Sequence, residues 1–190
     1  METDKKNMKK LLPSIFIAIV FTALMVSQML INGQELSASK LELGSEKTSF
    51  LEDKFSKFDA VTSKSEKIDL KKINSPIIIL NFWASWCTPC IAEFESLNKL
   101  ILKFGEKIKV IGINNDTEDA LKAISKIENK YGLKFSSIPD EEGKFAEMFN
   151  VSRIPSTIVY HKGKVIKFSE KEFDFMNEQF TDMINKKLEN

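Results

Sequence analysis

The chain has 190 residues, 43% of them hydrophobic, which allows one domain of ordinary size plus a short appendage and excludes two sizeable domains. Its 28 Lys and Arg residues nearly balance its 27 Asp and Glu residues, so the net charge of +1 gives no basis for nucleic-acid binding. A folded part of about 140 residues holds a core without disulfide staples or metals, which leaves its two cysteines free for chemistry.

An apolar run without charged residues follows four early lysines. It extends from Leu11 to Ile31, and as a helix it would be about 31 Å long, against about 30 Å for the hydrocarbon core of a bilayer. Lysines ahead of the run and few basic residues soon after it predict an N-terminus in the cytoplasm. A cleaved signal peptide, with a weak site at Ser37-Ala38-Ser39, is the alternative. The full-length span favours an uncleaved anchor, and both interpretations export the rest of the chain.

The chain therefore divides into four parts. We predict a cytoplasmic N-terminus at residues 1–10, a transmembrane signal anchor at residues 11–31, a flexible linker at residues 32–48 and a folded domain at residues 49–190. The folded part begins with apolar residues between Phe50 and Ile73, whose periodicity is too weak to assign to helices or strands.

Strands and helices alternate after that point. Ile77–Phe82 predicts a central strand covered on both faces, and apolar spacing from Pro89 to Gly105 predicts a helix with the cysteines at its N-terminus. The next patterns predict a strand at 107–114 and then a helix that Asp116 caps and Gly132 ends, with an inner face of Leu121, Ile124, Ile127 and Tyr131. A short strand near Phe135, a brief helix through Phe149 and a hairpin turning at Lys162-Gly163 follow. The final helix has one apolar face, formed by Phe173, Met176, Phe180, Met183 and Ile184. This order predicts a mixed α/β sheet.

The two cysteines carry the chemistry. A thiolate attacks a disulfide, and a helix N-terminus lowers the pKa of a thiol, so Cys87 is placed to attack and Cys90 to resolve the mixed disulfide. A structural zinc site needs four Cys or His ligands, whereas the chain has two Cys and one His, His161, which we predict to be a solvent-facing loop residue. Covalent haem attachment needs His directly after Cys90, where Ile91 stands. We expect no cofactor and no metal.

The stretch Leu80-Asn81-Phe82-Trp83-Ala84-Ser85-Trp86-Cys87-Thr88-Pro89-Cys90 resembles the active-site strand and loop of thioredoxin-like proteins. With the N-terminal span, Asn81 and Glu93, the chain is most similar to the TlpA/ResA group of membrane-anchored thiol-disulfide oxidoreductases. The resemblance covers residues 50–190. It implies a thioredoxin-like fold, a central mixed sheet flanked by helices, preceded by one transmembrane helix, and an enzyme that reduces protein disulfides.

The resemblance also implies roles for single residues. Glu93, one helical turn after Cys90, would exchange a proton during catalysis if burial raises its pKa, the alternative being a solvated helix carboxylate. Pro155 would be a cis-proline opposite the cysteines. Substrate contacts would fall on Trp86, Ile154 and Pro155, with Trp83 in the core.

Partners and location are implied in the same way. The TlpA/ResA group acts at the bacterial cytoplasmic (inner) membrane, with a single-pass anchor and the catalytic domain on the periplasmic side. Its protein substrates are disulfides of apocytochromes c or of copper-site proteins, which places it in cytochrome c-type biogenesis. Its electrons come from a membrane donor of the CcdA/DsbD type.

Two other functions remain open from the sequence. A peroxiredoxin-type peroxidase shares the fold and an insertion like residues 107–135, but its Pro-x-x-x-Thr-x-x-Cys pattern is missing between Asn81 and Cys90. A Sco-type copper-binding and delivery protein is also membrane-anchored and thioredoxin-like. Its cysteines usually have three residues between them and a distal His ligand, whereas two residues separate Cys87 from Cys90 here.

Overall fold

A computed structural model of the protein describes residues 20–28 and 44–189. The chain divides into two compact units, Met1–Lys47 and Thr48–Asn190.

The predicted membrane anchor is described only in part. Residues 20–28 are helical, and the rest of the predicted span at 11–31 lies outside the described residues, as does the predicted cytoplasmic segment at 1–10. Among the residues that are described, no helix combines the length and the apolar character needed to cross a membrane. The predicted linker at 32–48 is described only from residue 44 onward, where the chain is already helical.

Strands and helices alternate through the second unit in the predicted order. The helices are α1 (residues 44–57, which begins in the first unit), α2 (Thr88–Phe104), α3 (Ala120–Tyr131), α4 (Lys144–Met148) and α5 (Glu178–Glu189). The strands are β1 (Asp59–Val61), β2 (Lys67–Asp69), β3 (Ile77–Trp83), β4 (Ile108–Asn114), β5 (Ser136–Pro139), β6 (Ser156–His161) and β7 (Lys164–Ser169).

Within the described residues, five strands form a mixed sheet in the order β5-β4-β3-β6-β7. Strand β4 is parallel to both of its neighbours, whereas β6 is antiparallel to β3 and to β7. Strands β1 and β2 pair separately as a short antiparallel ladder. The mixed α/β sheet predicted from the order of elements is confirmed.

The central strand β3 is buried along its whole length because helices cover both faces of the sheet. Its alternate residues enter two cores. One core joins β3 to α2 and α5 and contains Ile77, Ile79, Trp83, Phe94, Leu97, Phe180 and Ile184. The other joins β3 to α1 and α4 and contains Ile78, Leu80, Phe82, Leu51, Phe55 and Phe145. This double anchoring fixes the carboxyl end of β3, where the cysteine loop begins.

The prediction for α3 was wrong at its start and for two of the four residues on its inner face. Its N-cap is Asp119, not Asp116. Leu121 and Tyr131 are 56% and 38% exposed. Ile124 and Ile127 are buried as predicted, and Ala120 joins them on the buried stripe. The predicted end at Gly132 is confirmed, with a left-handed φ of 58° that suits glycine.

The final helix is shorter than predicted. Helix α5 starts at Glu178, so Phe173 and Met176 precede it. The Asn177 side chain accepts a hydrogen bond from the Phe180 amide at 2.9 Å, which is how an N-cap residue begins a helix. Residues 170–177, the 170–177 segment, therefore connect β7 to α5.

Candidate active site

The cysteine loop joins the end of β3 to the start of α2. A turn closes where the Cys87 amide donates to the Ala84 carbonyl at 3.1 Å. Cys87 is the N-cap of α2, and Pro89 lies in the first turn, where its missing N–H removes no helical hydrogen bond. The predicted position of the cysteines at a helix N-terminus is confirmed.

Cys87 and Cys90 are joined by a disulfide, with their Cα atoms 5.3 Å apart. The Cys90 amide also donates to Cys87 Sγ at 3.3 Å. Cys87 retains 5% exposure, whereas Cys90 is completely buried. A partner approaching from solvent can therefore reach Cys87 first.

Glu93 lies on α2 one turn after Cys90 and is only 1% exposed. Asn81 Nδ2 donates to Glu93 Oε2 at 3.1 Å, and the Phe173 amide donates to Oε1 at 2.7 Å. Burial raises the pKa of Glu93 to about 7, with a smaller contribution from the charge of Glu172, while the two hydrogen bonds oppose this rise. The carboxyl can thus gain or lose a proton near neutral pH.

Asn81 links this carboxyl to the sheet. It pairs in register with Thr157 on β6, and its Nδ2 also donates to Thr157 Oγ1 at 3.1 Å. Asn81 Oδ1 is buried and has no hydrogen-bond partner within the described part of the chain. The sequence singled out Asn81 and Glu93 by resemblance alone, and it gave no sign that Thr157 or the Phe173 amide would join them.

The Ile154–Pro155 peptide bond is cis, as the resemblance implied. Phe82 on β3 faces Ser156 on β6, so Pro155 lies level with the end of β3, at the same sheet edge as the cysteine loop. Ile154 is half-buried and Pro155 is buried. Trp86 is 70% exposed, whereas Trp83 is fully buried, as expected for both.

A second polar group supports the cysteine loop. Asp116 accepts hydrogen bonds from the Ser85 amide at 2.9 Å, from Ser85 Oγ at 2.8 Å and from Asn114 Nδ2 at 2.7 Å. It is 6% exposed and holds the turn that presents Trp86. We predicted Asp116 to cap α3. The polar residues directly after β4 could have indicated its place beside the cysteine loop, because the carboxyl ends of parallel strands meet at one sheet edge.

Residues 51–169 match the family model described as the AhpC/TSA family. The chain belongs to the AhpC/TSA family. One relative is the thiol-disulfide oxidoreductase ResA of Bacillus anthracis, 30% identical over 165 residues, which span 86% of this chain and 88% of that protein. Another is the thioredoxin-like protein YneN of Bacillus subtilis, 31% identical over 111 residues, or 58% of this chain and 65% of that protein.

Solved structures share the fold of this AhpC/TSA-family chain. A secreted Mycobacterium tuberculosis disulfide oxidoreductase homologous to E. coli DsbE has a TM-score of 0.59 at 21% identity, covering 73% of this chain and 98% of that one. StoA from Bacillus subtilis has a TM-score of 0.55 at 20% identity, covering 67% of this chain and 93% of that one. These likenesses establish the thioredoxin-like fold. With its relatives and its Cys87–Cys90 pair, this AhpC/TSA protein is a thiol-disulfide oxidoreductase.

His161 is not the solvent-facing loop residue that we predicted. It ends β6 opposite Ile77, and it is half-buried. Burial lowers its pKa, helped by the charges of Lys162 and Lys187. Because β3 runs from Ile77 toward the cysteine loop, its seven residues separate His161 from that loop by about 20 Å. In this AhpC/TSA protein, His161 and the cysteines therefore lie too far apart to bind one metal ion.

Proposed function

We propose that this protein reduces protein disulfides outside the cytoplasm through a dithiol-disulfide cycle of Cys87 and Cys90. The observation that carries the proposal is the Cys87–Cys90 disulfide at the N-terminus of α2, with the Glu93 carboxyl buried one helical turn further on. The free amides and dipole of the helix N-terminus stabilise a thiolate at Cys87. The titration of Glu93 near pH 7 supplies a group that can exchange a proton with Cys90.

The reducing half of the cycle begins when the Cys87 thiolate attacks one sulfur of a substrate disulfide. The other substrate sulfur leaves as a thiolate, and a mixed disulfide remains on Cys87. Cys90 then passes its proton to the Glu93 carboxylate and attacks Cys87 Sγ. The Cys87–Cys90 disulfide forms, the second substrate sulfur leaves as a thiolate, and the substrate has gained two electrons.

The other half of the cycle regenerates the dithiol. A donor thiolate attacks Cys87 Sγ, and Cys90 leaves as a thiolate that takes a proton from Glu93, whose carboxyl exchanges protons with solvent between the two half-cycles. A second donor thiolate then displaces Cys87, so the donor is oxidised to a disulfide. We propose a membrane donor of the CcdA/DsbD type, and apocytochromes c or copper-site proteins as substrates. The support for these partners is the resemblance to the ResA relatives.

Substrates would dock beside Cys87 on the exposed apolar surface of Trp86 and the half-buried Ile154, next to Pro155, which is buried. Trp86 is 70% exposed, a large apolar area for a side chain so close to a reactive sulfur. Register pairing brings Pro155 to the same sheet edge. An extended substrate segment passing over this edge would meet Trp86 and Ile154 together with Cys87 and would pass next to Pro155.

The anchor completes the proposal. A single span at residues 11–31 would hold the catalytic domain on the periplasmic side of the bacterial cytoplasmic membrane, with residues 1–10 inside and residues 32–48 as the linker. The uncharged run and the lysines ahead of it support this orientation. The test is an impermeant thiol reagent on intact reduced cells. Labelling of Cys87 only after the membrane is broken open would contradict it.

Trapping tests the cycle itself. Cys90→Ser should accumulate substrates as mixed disulfides on Cys87, and Cys87→Ser should trap none, because a partner reaches Cys87 first and Cys90 is completely buried. Identifying the trapped proteins by mass spectrometry separates cytochrome maturation from general thiol repair. Equal trapping by both variants would contradict the assigned roles of the two cysteines.

The direction of electron flow is tested by the reduction potential. We expect a value nearer that of thioredoxin, about −270 mV, than that of DsbA, about −120 mV. The gap between these values corresponds to about 7 kcal/mol, so equilibration with glutathione distinguishes a reductant from an oxidant. Peroxide consumption at a rate that exceeds disulfide reduction would instead favour a peroxidase, and stoichiometric copper binding would favour copper delivery.

A further inference from the structure

A surface cavity of about 290 Å³ lies between α2 and the 170–177 segment. We call it the α2 cavity. Its walls are formed by Ala92, Glu93, Glu95, Ser96 and Lys99 on α2 and by Glu172, Phe173, Asp174 and Met176 on the segment. Glu172 and Asp174 are exposed, so the cavity opens to solvent, and neither cysteine contributes to its lining.

Glu93 lies between the cavity and the interior. Its Oε2 accepts from Asn81 on the sheet side, and its Oε1 accepts from the amide of Phe173, which lines the cavity. Ser96 holds the two walls together, because its Oγ accepts from the Phe175 amide at 3.2 Å and donates to the Glu93 carbonyl at 2.8 Å. The Glu93 side chain is therefore held between the buried sheet and the segment that forms one wall of the α2 cavity.

This arrangement matters when a partner covers the cysteines. A protein docked over Trp86 and Ile154 excludes water from the side of Cys87 that faces solvent, while Cys90 is buried whether or not a partner is bound. A proton that Cys90 gives to Glu93 then needs another way out. Building on the proposed function, we infer that the α2 cavity is the route by which the Glu93 proton exchanges with solvent while a protein partner covers the cysteines.

The charges around the cavity suit this role. Glu95 and Lys99 pair with each other at 2.6 Å, and the Lys99 ammonium also interacts with the charge of Asp174, so Glu172 and Asp174 leave the rim with a net negative charge. A negative rim attracts protons and stabilises the protonated form of Glu93. The Lys167 ammonium lies over the Phe173 ring, 4.2 Å from its centroid, at the edge of the same segment.

The inference is tested by filling the cavity in the full-length chain. Ala92→Trp places an indole from the α2 wall, and Met176→Trp fills the cavity from the opposite wall. Leu102→Trp is the matched control, because Leu102 is on the same helix, is 67% exposed and does not line the cavity. Each reduced variant is mixed with a disulfide-containing protein and, separately, with dithiobis(nitrobenzoate), a small disulfide that leaves the cysteine surface open to water.

We expect both cavity-filling variants to lower the saturating rate with the protein disulfide about tenfold or more, toward the rate of the Glu93→Gln variant. Their KM for the protein disulfide should be unchanged, and their solvent isotope effect should be larger. Their rates with the small disulfide should stay within about twofold of the control. Rates with both substrates that match the control would overturn the route. Equal decreases in the saturating rate with both substrates would also overturn the route, and so would a change in KM without a change in the saturating rate. The proposed function fails separately, if the wild type does not reduce the protein disulfide at all.

Discussion

Replacing Glu93 with glutamine keeps the shape of the buried side chain and removes its titration. The oxygen of the glutamine amide can still accept from the Phe173 amide. Its NH₂ group can donate to Asn81 Oδ1 if the Asn81 amide group turns over, since that oxygen has no partner within the described residues. We therefore expect Glu93→Gln to fold normally. Its effect on stability should depend on pH in a way that follows from the pKa.

The Glu93 carboxyl binds its proton more tightly in the folded protein, where its pKa is about 7, than in the unfolded chain, where it is near 4.5. Its contribution to stability is therefore complete below pH 4.5 and is lost as the pH rises through 7. At about 1.4 kcal/mol for each unit of pKa, the loss approaches about 3 kcal/mol by pH 8. Glu93→Gln has no such loss. Between pH 4 and pH 8 its free energy of unfolding should therefore rise by that amount relative to the free energy of unfolding of the wild type.

Urea unfolding of the oxidised proteins, followed by circular dichroism at a series of pH values, measures this difference. Other ionisable groups titrate alike in both proteins and cancel from the comparison. If the two free energies of unfolding stay parallel within about 0.5 kcal/mol from pH 4 to pH 8, Glu93 is an ordinary ionised carboxylate and the argument from burial is wrong.

Three further substitutions test the neighbouring contacts. Asn81→Ala removes a donor that favours the ionised carboxylate, so the pH-rate inflection assigned to Glu93 should move to higher pH in stopped-flow assays; an unmoved inflection contradicts the contact. Trp86→Ala should raise KM for protein disulfides while changing stability by less than about 0.5 kcal/mol, because the side chain is 70% exposed; an unchanged KM contradicts docking there. Asp116→Ala should cost about 1 to 3 kcal/mol in urea unfolding, since it leaves buried donors without an acceptor; a neutral result contradicts that role.

Periodicity and local motifs predicted most of the fold. The β-branched run of β3 and the apolar spacing of α2 are strong signals because burial on both faces, or on one stripe, constrains every position. The resemblance added what no local pattern contains, the cis bond before Pro155. It also raised the expectation that Glu93 is buried, which the structure bears out at 1% exposure.

The errors lie where tertiary contacts override local preference. Asp116 precedes a helix and has the chemistry of a cap, yet Ser85 and Asn114 bind it instead. Phe173 fits the apolar face of a final helix, but Asn177 starts that helix later and the Phe173 amide is used by Glu93. Neither outcome can be derived from spacing, because each depends on residues 31 or 80 positions away.

The surroundings of Glu93 have a consequence for biosynthesis. One donor, Asn81, precedes the carboxylate in the chain, but the other, the Phe173 amide, follows it by 80 residues. Chains are made from the N-terminus, so Cys87 and Cys90 exist as a reactive pair well before the 170–177 segment has been synthesised. A nascent or C-terminally truncated chain therefore has both thiols but lacks the amide and the cavity wall that control the proton. Premature release would leave a reactive dithiol without its own acid-base control.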